Sequence, residues 1–338
     1  MTSHATPSAC CPATKLKRSL IALVSACALG LAVSAPAIAQ ANWPNQPLRL
    51  YVGSAPGGGT DAMARAVADK LGPALGQTVV VENKPGASNT LAAVQAVRST
   101  DNHSMVMGVS TAHAIAPHLL KLSYDNDRDL VPVVFVGAVP NVLVVNNDVP
   151  AKTAQELIAL LKARPGSYNF ASSGAGSTQH IAAELFKDAA GVQMIHVPYR
   201  GSGPALVDLM GGQVQIAFET ASSVIPHIQS GKVRALAVLS EQRNPQIPDV
   251  PTLAEAGLPG VEMSAWYGIY MPSSVPAEYQ KRIHDEVNVV LTQPDTQKRL
   301  QAIGAQLKPM SQAEFAQFHQ AENQRYAAII KKNRISLE

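Results

Sequence analysis

An apolar strand, three consecutive glycines and a helix start follow one another in Leu48-Arg-Leu-Tyr-Val-Gly-Ser-Ala-Pro-Gly-Gly-Gly-Thr-Asp-Ala-Met-Ala-Arg65. Such a junction takes the chain through a tight turn that glycine enters at little steric cost. It also turns unpaired backbone N–H groups outward at the positive end of a new helix opening at Thr60–Asp61, a cradle for a small anion. A second junction of this kind occupies Tyr168-Asn-Phe-Ala-Ser-Ser-Gly-Ala-Gly-Ser-Thr-Gln-His180. Two anion cradles far apart in one chain predict two lobes that close on one acidic ligand.

These glycines do not spell a nucleotide site. A phosphate-binding P-loop needs Lys and Ser or Thr after its last glycine. Gly57-Gly58-Gly59-Thr60-Asp61 supplies a carboxylate there, which repels a triphosphate. Gly174-Ala-Gly176-Ser-Thr-Gln179 starts like a dinucleotide fingerprint, but Gln179 stands where the third glycine belongs. No G-x-S-x-G elbow occurs, so a hydrolase serine is not signalled. His113 and His118 lack a carboxylate partner at metal-ligand spacing and read as core or helix-surface histidines. His180 opens the helix of the second cradle, where it either donates to a ligand or caps the loop. A third junction, His196-Val-Pro-Tyr-Arg-Gly-Ser-Gly-Pro-Ala-Leu206, puts Pro204 at the first helical position. Tyr199 and Ser202 then lie at the sheet edge where open α/β sheets bind ligands. Alternatively the segment is a plain helix start with Arg200 in solvent.

The first residues stand apart from any fold. Lys15, Lys17 and Arg18 precede an apolar run from Leu20 to Val33, and Ala37-Ile38-Ala39 is an A-x-A cleavage site. Residues 1–39 therefore read as a secretory signal, and Pro36 argues against a membrane anchor. Val24-Ser25-Ala26-Cys27 also resembles a lipobox, which would make Cys27 a lipidation site. All three cysteines (Cys10, Cys11, Cys27) fall inside this segment, so the mature chain has no thiol nucleophile and no disulfide. The segment carries three of the 27 Lys and Arg and none of the 24 Asp and Glu, so the mature chain has 24 of each. A net charge of zero gives no support to a nucleic-acid or membrane-surface role. About 300 residues suffice for a large core and favour two domains.

Strands and helices alternate through the mature chain, the pattern of an α/β protein. Strands are predicted at Leu48–Val52, 78–82, Ser104–Val109, 131–136, 142–145, 168–171, 194–197, 214–218 and 233–239. Met63, Val67, Leu71 and Leu75 recur every fourth residue on one helix face. The last third turns helical at 277–291, 296–303 and Gln312–Lys332. Two extended segments, 131–145 and 260–271, have no helix between their parts and read as crossings between lobes. Two crossings make a hinge. The lobes then comprise 43–141 with 262–338, and 142–261.

Many of these residues together resemble one family. Ala55-Pro-Gly-Gly-Gly-Thr-Asp61, the Gly174 to His180 loop with Glu184-Leu-Phe186, and His196-Val-Pro-Tyr-Arg-Gly201 occur in order. Gly212-Gln-Val214, Gly231-Lys-Val-Arg-Ala-Leu-Ala-Val238, Pro248-Asp-Val-Pro-Thr252 and Glu255-Ala-Gly257 follow. The chain resembles the Bug family, periplasmic solute receptors of tripartite tricarboxylate transporters, over essentially its whole mature length. The resemblance implies a type II-like two-lobed periplasmic binding protein: two mixed-sheet α/β domains joined by a hinge, without enzymatic activity. It implies a small organic carboxylate as ligand (a di- or tricarboxylate, an acidic amino acid or an aromatic acid), held between the first and second loops partly through water. It implies membrane permease subunits as partners, a monomeric receptor, no cofactor and no metal. Two departures stand out. Val52-Gly53-Ser54 replaces a bulky Pro-aromatic step, which predicts extra room and a new hydroxyl donor. Gln215 and Glu219 occupy the strand after Gly-Gln-Val, where a shorter acidic or amide residue is usual.

The expected ligand-binding residues are Ser54, Ala55, Gly57, Gly58, Thr60 and Asp61 from the first loop. Ser172, Gly174, Ser177, Thr178 and His180 come from the second, Tyr199 and Ser202 from the third, and Glu219 from the strand end. A rival class is a periplasmic enzyme using Asp61, His180 or Glu219 as acid or base. A third is a sensory receptor that docks on a membrane kinase.

Overall fold

A computed structural model of the chain describes residues 1–5 and 43–336. The basic, apolar and cleavage parts of the expected signal, the lipobox and all three cysteines lie outside the described residues. The chain divides into an N-terminal unit, Met1–Asn45, and a compact unit, Gln46–Glu338. The nine strands of the described residues lie in the second: β1 Leu48–Val52, β2 Val79–Asn83, β3 Ser104–Val109, β4 Leu130–Val145, β5 Asn169–Ser172, β6 Ile195–Pro198, β7 Ile216–Thr220, β8 Arg234–Val238 and β9 Ser264–Pro272.

The strands run in the order β2-β1-β3-β9-β4-β7-β5-β6, with β8 also on β4. β1 is parallel to β2 and β3, and β5 is parallel to β6 and β7. Parallel strands deliver their C-terminal ends to one edge, so the glycine junctions after β1 and β5 both open at sheet edges where ligands bind. β9 is antiparallel to β3 and β4, and β7 and β8 are antiparallel to β4. The result is the mixed α/β fold expected from the sequence.

The crossing at 131–145 is one strand and not two. β4 runs unbroken for 16 residues through Pro132, Gly137 and Pro140. Register shifts between Pro132 and Val134 and between Phe135 and Gly137 absorb these punctuating residues as bulges. From Leu130 to Pro140 the strand pairs with β9, and from Asn141 to Val145 with β7 and β8. At the change of partner, Asn141 N–H donates to Met263 O, Leu239 N–H to Asn141 O, and Met263 N–H to Leu239 O. A further segment joins here, with Ala138 and Gln306 exchanging both backbone bonds at 3.0 and 2.7 Å.

The first helix, Gly59–Leu75, buries Met63, Val67, Leu71 and Leu75, the face set by the four-residue repeat. The helix after the third junction begins at Ser202, so Pro204 is its third residue and not its first. No hydrogen bond is lost, because first-turn amides have no partner inside a helix. The helix Gln312–Lys332 packs Phe315 and Phe318 edge-on against Trp266 and Phe135. That contact needs Gly268: a Cβ there would stand 2.3 Å from Phe315 Cζ and 3.0 Å from Val134 O. Gly268→Ala is therefore expected to destabilise by about 1–3 kcal/mol. Urea unfolding should show a lower midpoint with an unchanged slope.

Candidate functional site

β1 ends at Val52, and the chain then passes Gly53, whose missing side chain makes room for a neighbour. A Cβ on Gly53 would lie 2.4 Å from Asn89 O and 2.6 Å from Asn89 Cβ. The space expected from the lost Pro-aromatic step is therefore filled, beside Gly53, by the Asn89 backbone. Ser54 fits the other half of that expectation: its hydroxyl is buried and has no partner.

Asp61 holds the first loop from behind. Its Oδ2 accepts from Gly57 N–H and from Arg65 Nε, both at 2.9 Å, and its Oδ1 accepts from Asn83 Nδ2 at 2.9 Å. Burial opposes ionisation, but the donors Arg65, Gly57 and Asn83 overcome it and keep the carboxyl below its usual range. Gly58 N–H turns back to Ala55 O at 3.1 Å. Two of the expected anion donors, the Gly57 and Gly58 amides, are thus committed inside the loop, and Asp61 is a clamp. Donors remain further on. Gly58 caps the Gly59–Leu75 helix without any side-chain bond, leaving its first-turn amides uncapped by a side chain. Thr60 is buried in that turn, and Ala55 is exposed at the loop tip.

Two hydroxyls that sequence reasoning missed converge on this helix start. A Cβ on Gly59 would stand 3.2 Å from Tyr267 Oη and 3.5 Å from Ser222 Oγ. Tyr267 belongs to β9, and burial pushes its phenol well above the ordinary range, so it stays a donor. Ser222 follows β7 and bonds Thr220 Oγ1.

The second loop is braced by aromatic stacking. Ser172 Oγ contacts His196 Nε2 at 2.7 Å, donates to Gly174 O and accepts from Gly174 N–H. His196 stacks on His180 with ring centroids 3.9 Å apart, and Phe170 stacks against His196 at 4.8 Å. His180 Nδ1 accepts from Gly176 N–H at 3.2 Å, which caps the loop and leaves Nε2 as the donor side of the ring. Burial lowers both histidines to about 4, leaving them neutral near pH 7. Ser177 caps the helix Thr178–Ala190 by accepting from His180 N–H at 3.3 Å.

Gln179, which spoils the dinucleotide fingerprint, is the hub of the second loop. Ser173 Oγ and Thr178 Oγ1 donate to its carbonyl at 2.9 and 3.3 Å. Its amide donates to Ser202 Oγ at 3.3 Å and to Glu219 Oε2 at 3.5 Å. Ser202 in turn donates to Glu219 Oε2 at 2.8 Å. Glu219 is fully buried, and its other oxygen, Oε1, has no partner. Gln215 lies outside β7 and serves the opposite end, accepting from Asn169 N–H. Tyr199 donates to Asp208 at 2.7 Å, and burial with that carboxylate pushes its phenol up to about 12. Arg200 is exposed.

A cavity of ≈ 1100 Å³ lies elsewhere, lined by Trp266, Phe318, Ser240, Gln306 and Arg325 among others and by none of the glycine loops. Among the described residues no group of three or more His, Cys, Asp or Glu is placed to hold a metal ion.

Comparison with known proteins places the chain in a family. The sequence model described as the tripartite tricarboxylate transporter family receptor matches residues 63–335. Protein BugT of Bordetella pertussis is 35% identical over 322 residues, covering 94% of this chain and 98% of BugT. MatC from Rhodopseudomonas palustris with bound malate superposes with a TM-score of 0.77 at 32% identity, covering 85% of this chain and 100% of MatC. An R. palustris protein solved with adipate gives 0.80 at 32% identity, covering 87% and 99%. The chain belongs to the receptor family of the tripartite tricarboxylate transporters, the Bug-type periplasmic solute-binding proteins.

Proposed function

We propose that this protein is a periplasmic receptor that captures a small organic carboxylate between two lobes and presents it to the membrane permease subunits of a tripartite transporter. The observation that carries the reading is the convergence at Gly59: an uncapped helix start meets the Tyr267 and Ser222 hydroxyls. Related structures hold adipate and malate, both small carboxylates. On this reading one carboxylate end binds the first-turn amides at Gly59 and Thr60, with Ser54, Ala55, Gly58 and Tyr267 around it. Ser177, Thr178, Ser202 and Glu219 close on the rest of the ligand from the other side. Charge-assisted hydrogen bonds contribute about 1.5–3 kcal/mol each. Four or five of them, less the entropy of capture, correspond to a Kd around micromolar, or about −8 kcal/mol.

The lobes comprise 43–141 with 262–338, and 142–261; the change of β4 partners between Pro140 and Asn141 supports that boundary. Export through the 1–39 signal delivers the receptor to the periplasm, where it acts as a monomer. No helix among the described residues is long and apolar enough to cross a membrane. The receptor binds without turnover, and the internal ties of Asp61 support this, since its two carboxylate oxygens accept from Gly57, Arg65 and Asn83.

A thermal-shift screen of carboxylates tests the reading, because a ligand bound only by the native state raises Tm. The expected result is a rise with at least one di- or tricarboxylate, a smaller scattering radius and an unchanged ligand NMR spectrum. A flat screen, or conversion of the ligand, overturns it.

A further inference from the structure

Glu219 departs from the usual treatment of a buried carboxylate. Groups of this kind are found paired with a cation or fully hydrogen-bonded. Glu219 contacts no Lys or Arg, and its donors crowd onto one oxygen. Oε2 accepts from Ser202 Oγ at 2.8 Å and from the Gln179 amide at 3.5 Å, while Oε1 is buried with no partner. The direction of these bonds is fixed upstream. Ser173 and Thr178 donate to the Gln179 carbonyl, so its NH₂ faces Ser202 and Glu219. A proton on Glu219 therefore has one place to sit, on Oε1.

The ionisable groups on the helices packed against β7 are His180, Glu184, Lys187 and Asp188 on Thr178–Ala190, Asp208 on Ser202–Met210 and His227 on Ala221–Gln229, and none of them sets the charge of Glu219. His180, on the helix that carries Gln179, accepts from Gly176 N–H. Asp208, on the helix that begins at Ser202, takes the Tyr199 hydroxyl. β4 presents Val142 opposite Glu219. Burial favours the uncharged acid and outweighs the neutral donors that would stabilise a negative charge, the Ser202 hydroxyl, the Gln179 amide and the Thr220 backbone N–H. The strand end is also close to the cradle: three residues on, Ser222 reaches the helix start at Gly59.

We propose that Glu219 is a neutral carboxylic acid whose Oε1–H donates to an oxygen acceptor at the end of the ligand remote from the glycine cradle. This rests on the receptor reading above and narrows it. The ligand class is a dicarboxylate or an oxo-acid, which presents an acceptor there, and not an amino acid, whose ammonium would need an ionised Glu219. An acid group at this position removes the repulsion that a second ligand carboxylate would otherwise meet.

The probes are succinate, glutarate and adipate against aspartate and glutamate, measured by calorimetry on wild type, Glu219→Gln and Glu219→Ala. The amide of Glu219→Gln is also a neutral donor. Wild type should prefer the best dicarboxylate over its amino-acid counterpart by at least tenfold. Glu219→Gln should hold that dicarboxylate within about threefold, and Glu219→Ala should lose about tenfold or more, the worth of one hydrogen bond to a charged group. Wild-type affinity should fall as rising pH ionises the acid, and Glu219→Gln should be flat. Independently of any ligand, infrared difference spectra of wild type minus Glu219→Gln near pH 7 should show the carbonyl stretch of a protonated carboxylic acid. Preference for aspartate or glutamate, lost in Glu219→Gln, overturns the proposal, as does absence of that carbonyl band. Tight dicarboxylate binding unaffected by either substitution or by pH overturns it too, while leaving the receptor reading standing. Failure of every carboxylate to bind overturns the receptor reading itself.

Discussion

Asp61→Ala is expected to weaken ligand capture about a hundredfold while leaving the protein folded. Three donors lose their acceptor at once: Gly57 N–H, Arg65 Nε and Asn83 Nδ2. Arg65 is exposed enough to turn to water, but the Gly57 amide and Asn83 belong to the loop itself. Gly57 sits at φ +82, a conformation held in place by the bond to Asp61. Without that bond the loop relaxes and the start of the Gly59–Leu75 helix loses its approach to Tyr267 and Ser222. The stability cost is about 1–3 kcal/mol, as expected for one stranded charge-assisted network at a loop. The loss of affinity should be larger, about a hundredfold, because a displacement of even an ångström misaligns every donor of the cradle. Calorimetry with the best ligand of the screen reads the effect, and circular dichroism confirms the fold. Wild-type affinity in Asp61→Ala would show that the first loop does not build the site. The same clamp has a pH signature. Its folded value is depressed, so its stabilisation is present above the unfolded carboxyl range and lost as pH falls through the folded value.

Much of the architecture is legible in the sequence because it rests on local signals. β1 and β3 end where the sequence ends them, since apolar alternation stops at glycine or at a helix start. The helix Gln312–Lys332 is also readable, bounded by a capping box at Ser311 and Glu314. β4 reads as two strands because Pro132, Gly137 and Pro140 look like punctuation. A long strand covered along nearly its whole length tolerates them through bulges, which no local pattern announces.

The site is legible as a set of loops and less so as a set of contacts. Both glycine junctions follow from the turn chemistry, yet the direction of each donor depends on tertiary partners. Asp61 reads in sequence as a charge facing the ligand, and Asn83, from a neighbouring strand, makes it part of a clamp instead. Gln179 is conspicuous in sequence for the glycine it replaces, whereas its function lies in reaching Ser202 and Glu219 from another element. Tyr267 is silent in sequence because an aromatic in an apolar run reads as core. Only the approach of β9 to the first helix, far away along the chain, gives its hydroxyl a neighbour.

Acid unfolding should begin unusually early, between about pH 6 and about pH 4, with buried histidines as its main cause. His113 is fully buried, stacked on Tyr270 with centroids 4.1 Å apart, and bonded through Nδ1 to Asn126 Oδ1 at 2.8 Å. Burial lowers it to about 3, and His319 nearby pushes in the same direction. His180 and His196 fall to about 4 for the same first reason. A base with a depressed folded value stays neutral in the native state and takes its proton on unfolding. Its contribution is therefore complete above the unfolded value near 6.5 and is lost as pH falls toward the folded value. A tenfold difference in proton affinity between the folded and unfolded chain is worth about 1.4 kcal/mol, so His113 alone removes on the order of 4 kcal/mol by about pH 3. That is a large part of the roughly 5–15 kcal/mol typical of a folded protein. The stacked pair adds to it, by less than twice the single value because His180 contributes to the lowering of His196 and the two titrations are coupled. Glu219 works in the opposite sense: its folded value is raised, so its contribution is present at low pH and fades as pH rises. His113→Phe separates these effects. The phenyl ring keeps the stack on Tyr270 and gives up the bond to Asn126, costing about 1 kcal/mol at neutral pH. Near pH 4 the order should reverse, with the variant unfolding at a lower pH than wild type by circular dichroism. An acid midpoint unmoved in His113→Phe would assign the transition to Asp61 and the other clamped carboxylates.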